Sequence, residues 1–274
     1  MVRLELKLLV GTLAALLCAA ILYAQQPQPA EDPRALVREV VRNELQAQQW
    51  DQTRWMYVSR EQQPGGDQTK KVIETTEGAI SRTIAENSHP LTFEQQRRQD
   101  QRLQQIIRDP KELKKQKQEQ GRDKQKEQQL LAMMPDGFLY EYKRREGQNI
   151  ELGFRPNPGF HPPTREAEVF HAMQGTMIVD GSAKRLKELR GRLVHDVVFG
   201  WGILGRLHKG GVFDVRQDEV AAGHWELTIL DVHITGKALF FKTIGEQQHE
   251  ERRDFREVPS DLTLAQAVEM LKRK

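Results

Sequence analysis

Five runs decide how this chain folds: EVFHAMQGTMIVD (168–180), RGRLVHDVVFG (190–200), GVFDVRQDEV (211–220), HWELTILDVHITG (224–236) and ALFFKTI (238–244). They fill the stretch from Val169 to Phe255, are rich in β-branched and aromatic residues, and are separated by glycine. Val212, Phe213 and Val215, then Trp225, Leu227 and Ile229, mix apolar with polar positions at about period two. That is the pattern of antiparallel strands with one face buried.

Upstream, the same alternation marks lead-in strands. Trp55 and Tyr57 oppose Met56 and Val58 within Arg54–Arg60, after which Pro64-Gly65-Gly66-Asp67 is a turn by composition. Thr69–Thr76 and Ala79–Glu86 read as a hairpin around Glu77-Gly78. A helix starts at Pro33 behind the cap Asp32, with Leu36, Val37, Val40, Val41 and Leu45 on one stripe.

Between the two sets of strands the period changes. Thr92 and Gln95 form a capping-box pattern, and Asp109-Pro110 breaks the helix that follows. A second helix, crowded with Lys, Gln and Glu, runs from Lys111 to Met134, where Leu130, Leu131, Met133 and Met134 gather. Pro135-Asp136-Gly137 is expected to end it in a turn. Residues 92–134 are thus a helical hairpin inserted between strands. Strands resume with Phe138, Tyr140 and Tyr142 on one face, then with Ile150, Leu152 and Phe154. Leu264, Ala265, Val268 and Leu271 mark a last short helix.

The 274 residues are 38% hydrophobic and 30% charged, and the apolar shortfall sits in the Gln/Lys-rich insert. A formal charge of +3 argues against a dedicated nucleic-acid binder. In the insert, Glu94, Asp100, Glu112, Glu119, Asp123 and Glu127 interleave with the bases and no aromatic residue offers stacking, which describes a solvated helical face.

Arg3 and Lys7 precede the apolar run Leu8–Leu22, which is followed by Tyr23-Ala24 and then a polar segment. This describes a secretory signal peptide over residues 1–24, a linker over 25–32 and one α+β domain over 33–274. The location expected is periplasmic or secreted. Cys18 lies inside the leader, so cleavage after Ala24 leaves no thiol for disulfides or catalysis.

The chemistry-bearing residues do not assemble into a recognised motif. His249-Glu250-Glu251 lacks the second histidine of a zinc-protease helix. His224 and His233 stand at odd spacing on one strand, and His195 and Asp196 are adjacent, so each pair points apart. No serine lies in a Gly-x-Ser-x-Gly elbow, and the glycines at 200–211 lack a phosphate-loop ending. The expectation is a non-enzymatic protein with no metal and no cofactor. A pair of carboxylates converging in a cleft, as in a hydrolase, is the alternative that sequence leaves open.

The order of leader, helix, antiparallel strands, helical insert and late glycine-punctuated strands resembles the periplasmic lipoprotein-carrier superfamily. The resemblance rests on Phe199-Gly200-Trp201-Gly202, Gly210-Gly211-Val212-Phe213, Gly223-His224-Trp225-Glu226 and Gly236–Lys242, and spans Ala30 to about Pro259. It implies a strongly curved antiparallel sheet, an open half-barrel covered by helices, that holds a lipid or lipoprotein acyl chain between sheet and lid. The lining it implies is Tyr140, Tyr142, Met173, Phe199, Phe213, Trp225, Leu227 and Phe241, with Leu130 and Met134 from the lid. Membrane contact would be transient at most. An envelope protein-interaction or stress-sensing module, with the insert as contact, is the alternative on the same fold.

Overall fold

A computed structural model of the chain describes residues 32–199, 205–238 and 247–273. The run ALFFKTI and the leader therefore lie outside the described residues, apart from Ala238. From Pro33 onward the chain forms one compact α+β unit. Its helices are α1 (Pro33–Trp50), α2 (Phe93–Arg108), α3 (Lys111–Gly137) and α4 (Leu264–Lys272). Among the described residues no helix is long and apolar enough to cross a membrane.

The first strands are β1 (Arg54–Gln63), β2 (Gly66–Thr75), β3 (Gly78–Glu86) and β4 (His89–Pro90). After the helical insert come β5 (Phe138–Glu146), β6 (Asn149–Pro156), β7 (Met173–Asp180) and β8 (Arg185–Leu193). The last six are β9 (Val197–Phe199), β10 (Gly205–Leu207), β11 (Val212–Ala221), β12 (His224–His233), β13 (Gly236–Ala238) and β14 (Gln247–Val258).

Eleven strands make one antiparallel sheet in the order β4-β3-β2-β1-β14-β12-β11-β8-β7-β6-β5, and β13-β10-β9 make a small second sheet. Neither sheet closes and neither is strongly curled, so the expected half-barrel gives way to a broad open sheet. Helices pack on both of its faces. Met56, Ile73 and Ile80 stand in register and face α2 and α4 in a core with Leu103, Leu113, Ala267 and Leu271. Their neighbours Tyr57 and Val72 point the other way. On that second face, α1 and the end of α3 cover the far half of the sheet, burying Val37, Val40 and Met134 against Phe138, Leu152 and Met177.

Two rows crossing the sheet organise this second face. Leu152, Met177, Leu189, Val215, Leu230, Glu250 and Glu61 are successive cross-strand partners. The row beside it reads Phe154, Gly175, Gly191, Phe213. Here glycine is required: a Cβ at Gly175 would sit 1.9 Å from the Arg190 carbonyl oxygen, and one at Gly191 would sit 2.5 Å from the Phe213 ring.

Local departures from the sequence reading have local causes. Helix α3 runs through Pro135 to Gly137 instead of ending in a turn. Its last carbonyls are taken up from outside the helix: Arg34 Nε donates to Pro135 O (2.9 Å), Tyr140 Oη to Met134 O (2.8 Å) and Asn157 Nδ2 to Asp136 O (2.8 Å). The segment Glu166–His171 is a short 3-10 helix, because Val169 and Phe170 are both buried and a strand would send one outward. The run 190–200 breaks at Val194–Asp196, where the Val194 amide bonds Ala172 O and Asp196 accepts from the Lys209 amide. In α4 it is Ala267, not Ala265, that packs with Leu264, Val268 and Leu271, behind a Thr263/Gln266 capping box. The Thr92/Gln95 capping box and the break at Asp109 form as read.

Candidate ligand-binding face

Helix α3 links the two ends of the strand order. It starts beside the β2–β3 turn, where Leu113 packs on Gly78 and Lys117 bonds Thr76 O, and ends at β5, the opposite edge strand. Its 27 residues give a length of about 40 Å. Nine steps of strand order separate β3 from β5, a width of roughly 43 Å at ordinary strand spacing. The helix is anchored by its two ends: Leu113 belongs to one core, while Met134, Leu130 and Leu131 join another. Between these anchors its sequence is Lys, Gln and Glu and almost wholly exposed. The exceptions lean on neighbours: Lys124 Nζ donates to Gln48 O of α1 (3.1 Å), and Glu127 lies within electrostatic reach of Arg252 on β14.

Inside the span, β11 and β12 carry apolar side chains that are half-buried and belong to none of the three hydrophobic cores. Val215 and Leu230, cross-strand partners on the α1/α3 face, are the clearest. Trp225 and Leu227 are likewise half-buried on β12 outside every core, with the Arg185 guanidinium 5.7 Å above the Trp225 ring. The other proposed lining residues sit elsewhere. Met134 and Phe199 are buried in the main core, and Leu130, Tyr140, Met173 and Phe213 pack against it half-buried. Tyr142 is 38% exposed, and Phe241 lies outside the described residues. Six of the ten are thus brought together, as core.

Next to Leu230 the face turns polar, a feature that sequence reasoning missed. Glu250 accepts from Ser59 Oγ (3.1 Å) and from Arg252 Nε (2.6 Å), and the Arg252 guanidinium lies 5.4 Å above the Tyr57 ring. Tyr57 stacks on Phe255 with centroids 5.2 Å apart, and burial pushes its phenol up to about 12 against the opposing pull of Arg252. Glu74 accepts the Trp55 amide (3.1 Å), yet burial still raises its carboxyl. Burial, with the Glu74 and Asp51 carboxylates beside it, pushes Glu226 to about 7. Burial also opposes ionisation of Asp51, but the Thr53 amide and the His224 ring (2.9 Å) outweigh it and hold Asp51 low. The available signal was the inward parity of Glu250 and Arg252, two residues apart on a strand that otherwise reads as solvated.

This cluster has a pH consequence. Between about pH 4.5 and 7 the folded protein holds a proton on Glu226 that the unfolded chain has released, so its stability falls as pH rises through that window. Glu226→Gln removes this contribution. Its melting temperature is expected to exceed that of the wild type at pH 8 and to match it near pH 4; an equal offset at both values would contradict the assignment.

His224 bonds Asp51, whereas His233 and His249 both face Asp231, at 3.0 and 3.8 Å. The strand histidines therefore serve different partners. No group of three His, Cys, Asp or Glu among the described residues is placed to hold a metal ion. The carboxylates that approach one another here are Glu74, Glu226 and Asp51; Glu74 accepts the Trp55 amide, and Glu226 lies beside the Trp55 side chain. No protein-family model, curated protein or solved structure matches the chain.

Proposed function

We propose that this protein is an exported, non-enzymatic carrier or chaperone that holds a lipid or lipoprotein acyl chain between its broad sheet and helix α3. The observation that supports this reading is the pairing of a two-point anchored helix with half-buried apolar side chains on β11 and β12 that no core claims. An acyl chain laid along Val215, Leu230, Trp225 and Leu227 would complete their burial, a gain of about 25 cal/mol per Å² of apolar surface covered. The adjacent Arg252, Tyr57 and Glu226 would meet the polar end of such a ligand. The solvated middle of α3 is tied into no core, so it could bow away from the sheet while Leu113 and Met134 stay packed. Export follows from the leader pattern, and the resemblance to periplasmic lipoprotein carriers agrees with the chemistry.

The test is native mass spectrometry of protein isolated gently from cells that export it. A bound lipid mass that organic extraction removes is expected. Uniformly ligand-free protein that also fails to take up a fluorescent fatty acid would end this reading.

A further inference from the structure

On the sheet face opposite α1, strands β5 to β11 form an open cleft of about 590 Å³. Its central row runs across five strands. Leu139 is the partner of Arg155, Gln174 of Arg192, and Arg192 of Val212, with Arg155 set beside Gln174 because the preceding Phe154 pairs with Gly175. Thr176 and Arg190 form part of the next row, where the Lys143 and Glu141 side chains lie over Gly153.

The charges here are unevenly matched. Lys143 pairs with Glu141, Arg190 with Glu188 (2.6 Å), and Arg216 with Asp214 (2.6 Å). Arg155 and Arg192 form no ion pair within 4 Å among the described residues, although Glu141, held by Lys143, lies within electrostatic reach of Arg155. They stand on either side of β7, about 9–10 Å apart at their backbones, close enough for both guanidinium groups to meet one tetrahedral anion over Gln174. Arginine forks are suited to phosphate oxygens. The two ends of the row are apolar and open: Leu139 is 38% and Val212 44% exposed. Paired guanidinium groups between exposed aliphatic residues match a phosphate set at an apolar boundary better than a phosphate free in water.

We propose that this cleft binds the phosphate of an anionic phospholipid headgroup, with Arg155 and Arg192 as donors and Leu139 and Val212 against the glycerol and upper acyl region. The site lies on the other face from the acyl-chain reading and does not depend on it. It would dock the protein on a membrane surface through the sheet and leave α3 free.

The test is co-sedimentation of the full-length mature chain with phosphatidylglycerol/phosphatidylcholine vesicles, with pure phosphatidylcholine vesicles and inorganic phosphate as the other arms. Arg155→Gln with Arg192→Gln is expected to weaken binding to the anionic vesicles roughly thirtyfold. The charge-matched Arg97→Gln with Arg98→Gln, on the exposed side of α2, should leave it within about twofold. Fatty-acid uptake should be the same in both variants, which separates failure of this site from failure of the carrier reading. Equal binding by the Arg155/Arg192 variant would overturn the proposal, as would an equal loss in the α2 variant. Saturable binding of inorganic phosphate with no binding to either vesicle would assign a free anion and overturn it too.

Discussion

Replacing Glu44 with alanine is expected to cost about 3–5 kcal/mol of stability, the usual penalty for stranding one partner of a buried ion pair. Glu44 lies on α1 with its side chain 5% exposed. Its carboxylate accepts Arg185 Nε (2.8 Å), Arg185 Nη2 (3.0 Å) and the Leu186 amide (2.8 Å). With the carboxylate gone, an arginine side chain that is 11% exposed has no anion and a strand amide loses its acceptor. Helix α1 would lose its polar lock on β8, leaving Asn43 Nδ2 to Lys184 O at 3.2 Å. Urea unfolding should show a lower midpoint with little change in slope. Methionine at both Glu44 and Arg185 should recover most of the loss, because no buried charge is then left alone. A loss below about 1 kcal/mol in Glu44→Ala would mean that water reaches the pair.

Phe138→Ala should cost a similar amount, about 3–5 kcal/mol. Phe138 opens β5 where α3 ends, is 1% exposed, and meets Phe170 at 4.8 Å, Phe154 at 5.0 Å and Tyr140 at 6.3 Å between centroids. Truncation leaves a cavity among three rings, of which Tyr140 is pinned by its bond to Met134 O and Phe154 and Phe170 are buried. Collapse around the gap is therefore limited, which places the loss toward the upper end. Phe138→Leu keeps most of the volume and should cost clearly less, by thermal or urea unfolding. Equal costs for the two would show that ring packing, not cavity volume, sets the stability of this corner.

Much of the architecture was legible because it rests on local periodicity. Ile150, Leu152 and Phe154 alternate in a strand and are buried as alternation requires, and Thr92 with Gln95 caps α2 within four residues of chain. What was not legible depends on partners far away in sequence. Pro135-Asp136-Gly137 has the composition of a turn, yet Arg34, 101 residues upstream, supplies a donor that lets α3 continue. Glu44 looks like a solvated helix position until Arg185, 141 residues later, arrives opposite it. The expected lining residues show a related limit. Aromatic size marks Phe199, Phe213 and Tyr140 as buried but cannot separate core from ligand contact, and these pack as core. Val215 and Leu230 carry no special mark. They stand out only because no hydrophobic core includes them. The half-barrel expectation could not foresee that α2 and α4 would occupy the other face.

The most direct test of the account is titration of a fluorescent fatty acid into the mature protein and its Leu230→Arg variant, with circular dichroism to confirm that both are folded. Leu230 belongs to no core, so a cation there should leave the fold intact while placing a charge where an acyl chain would lie. The account predicts saturable uptake by the wild type and a loss of at least about tenfold in the folded variant. Equal uptake by both proteins, or none by either, would contradict it.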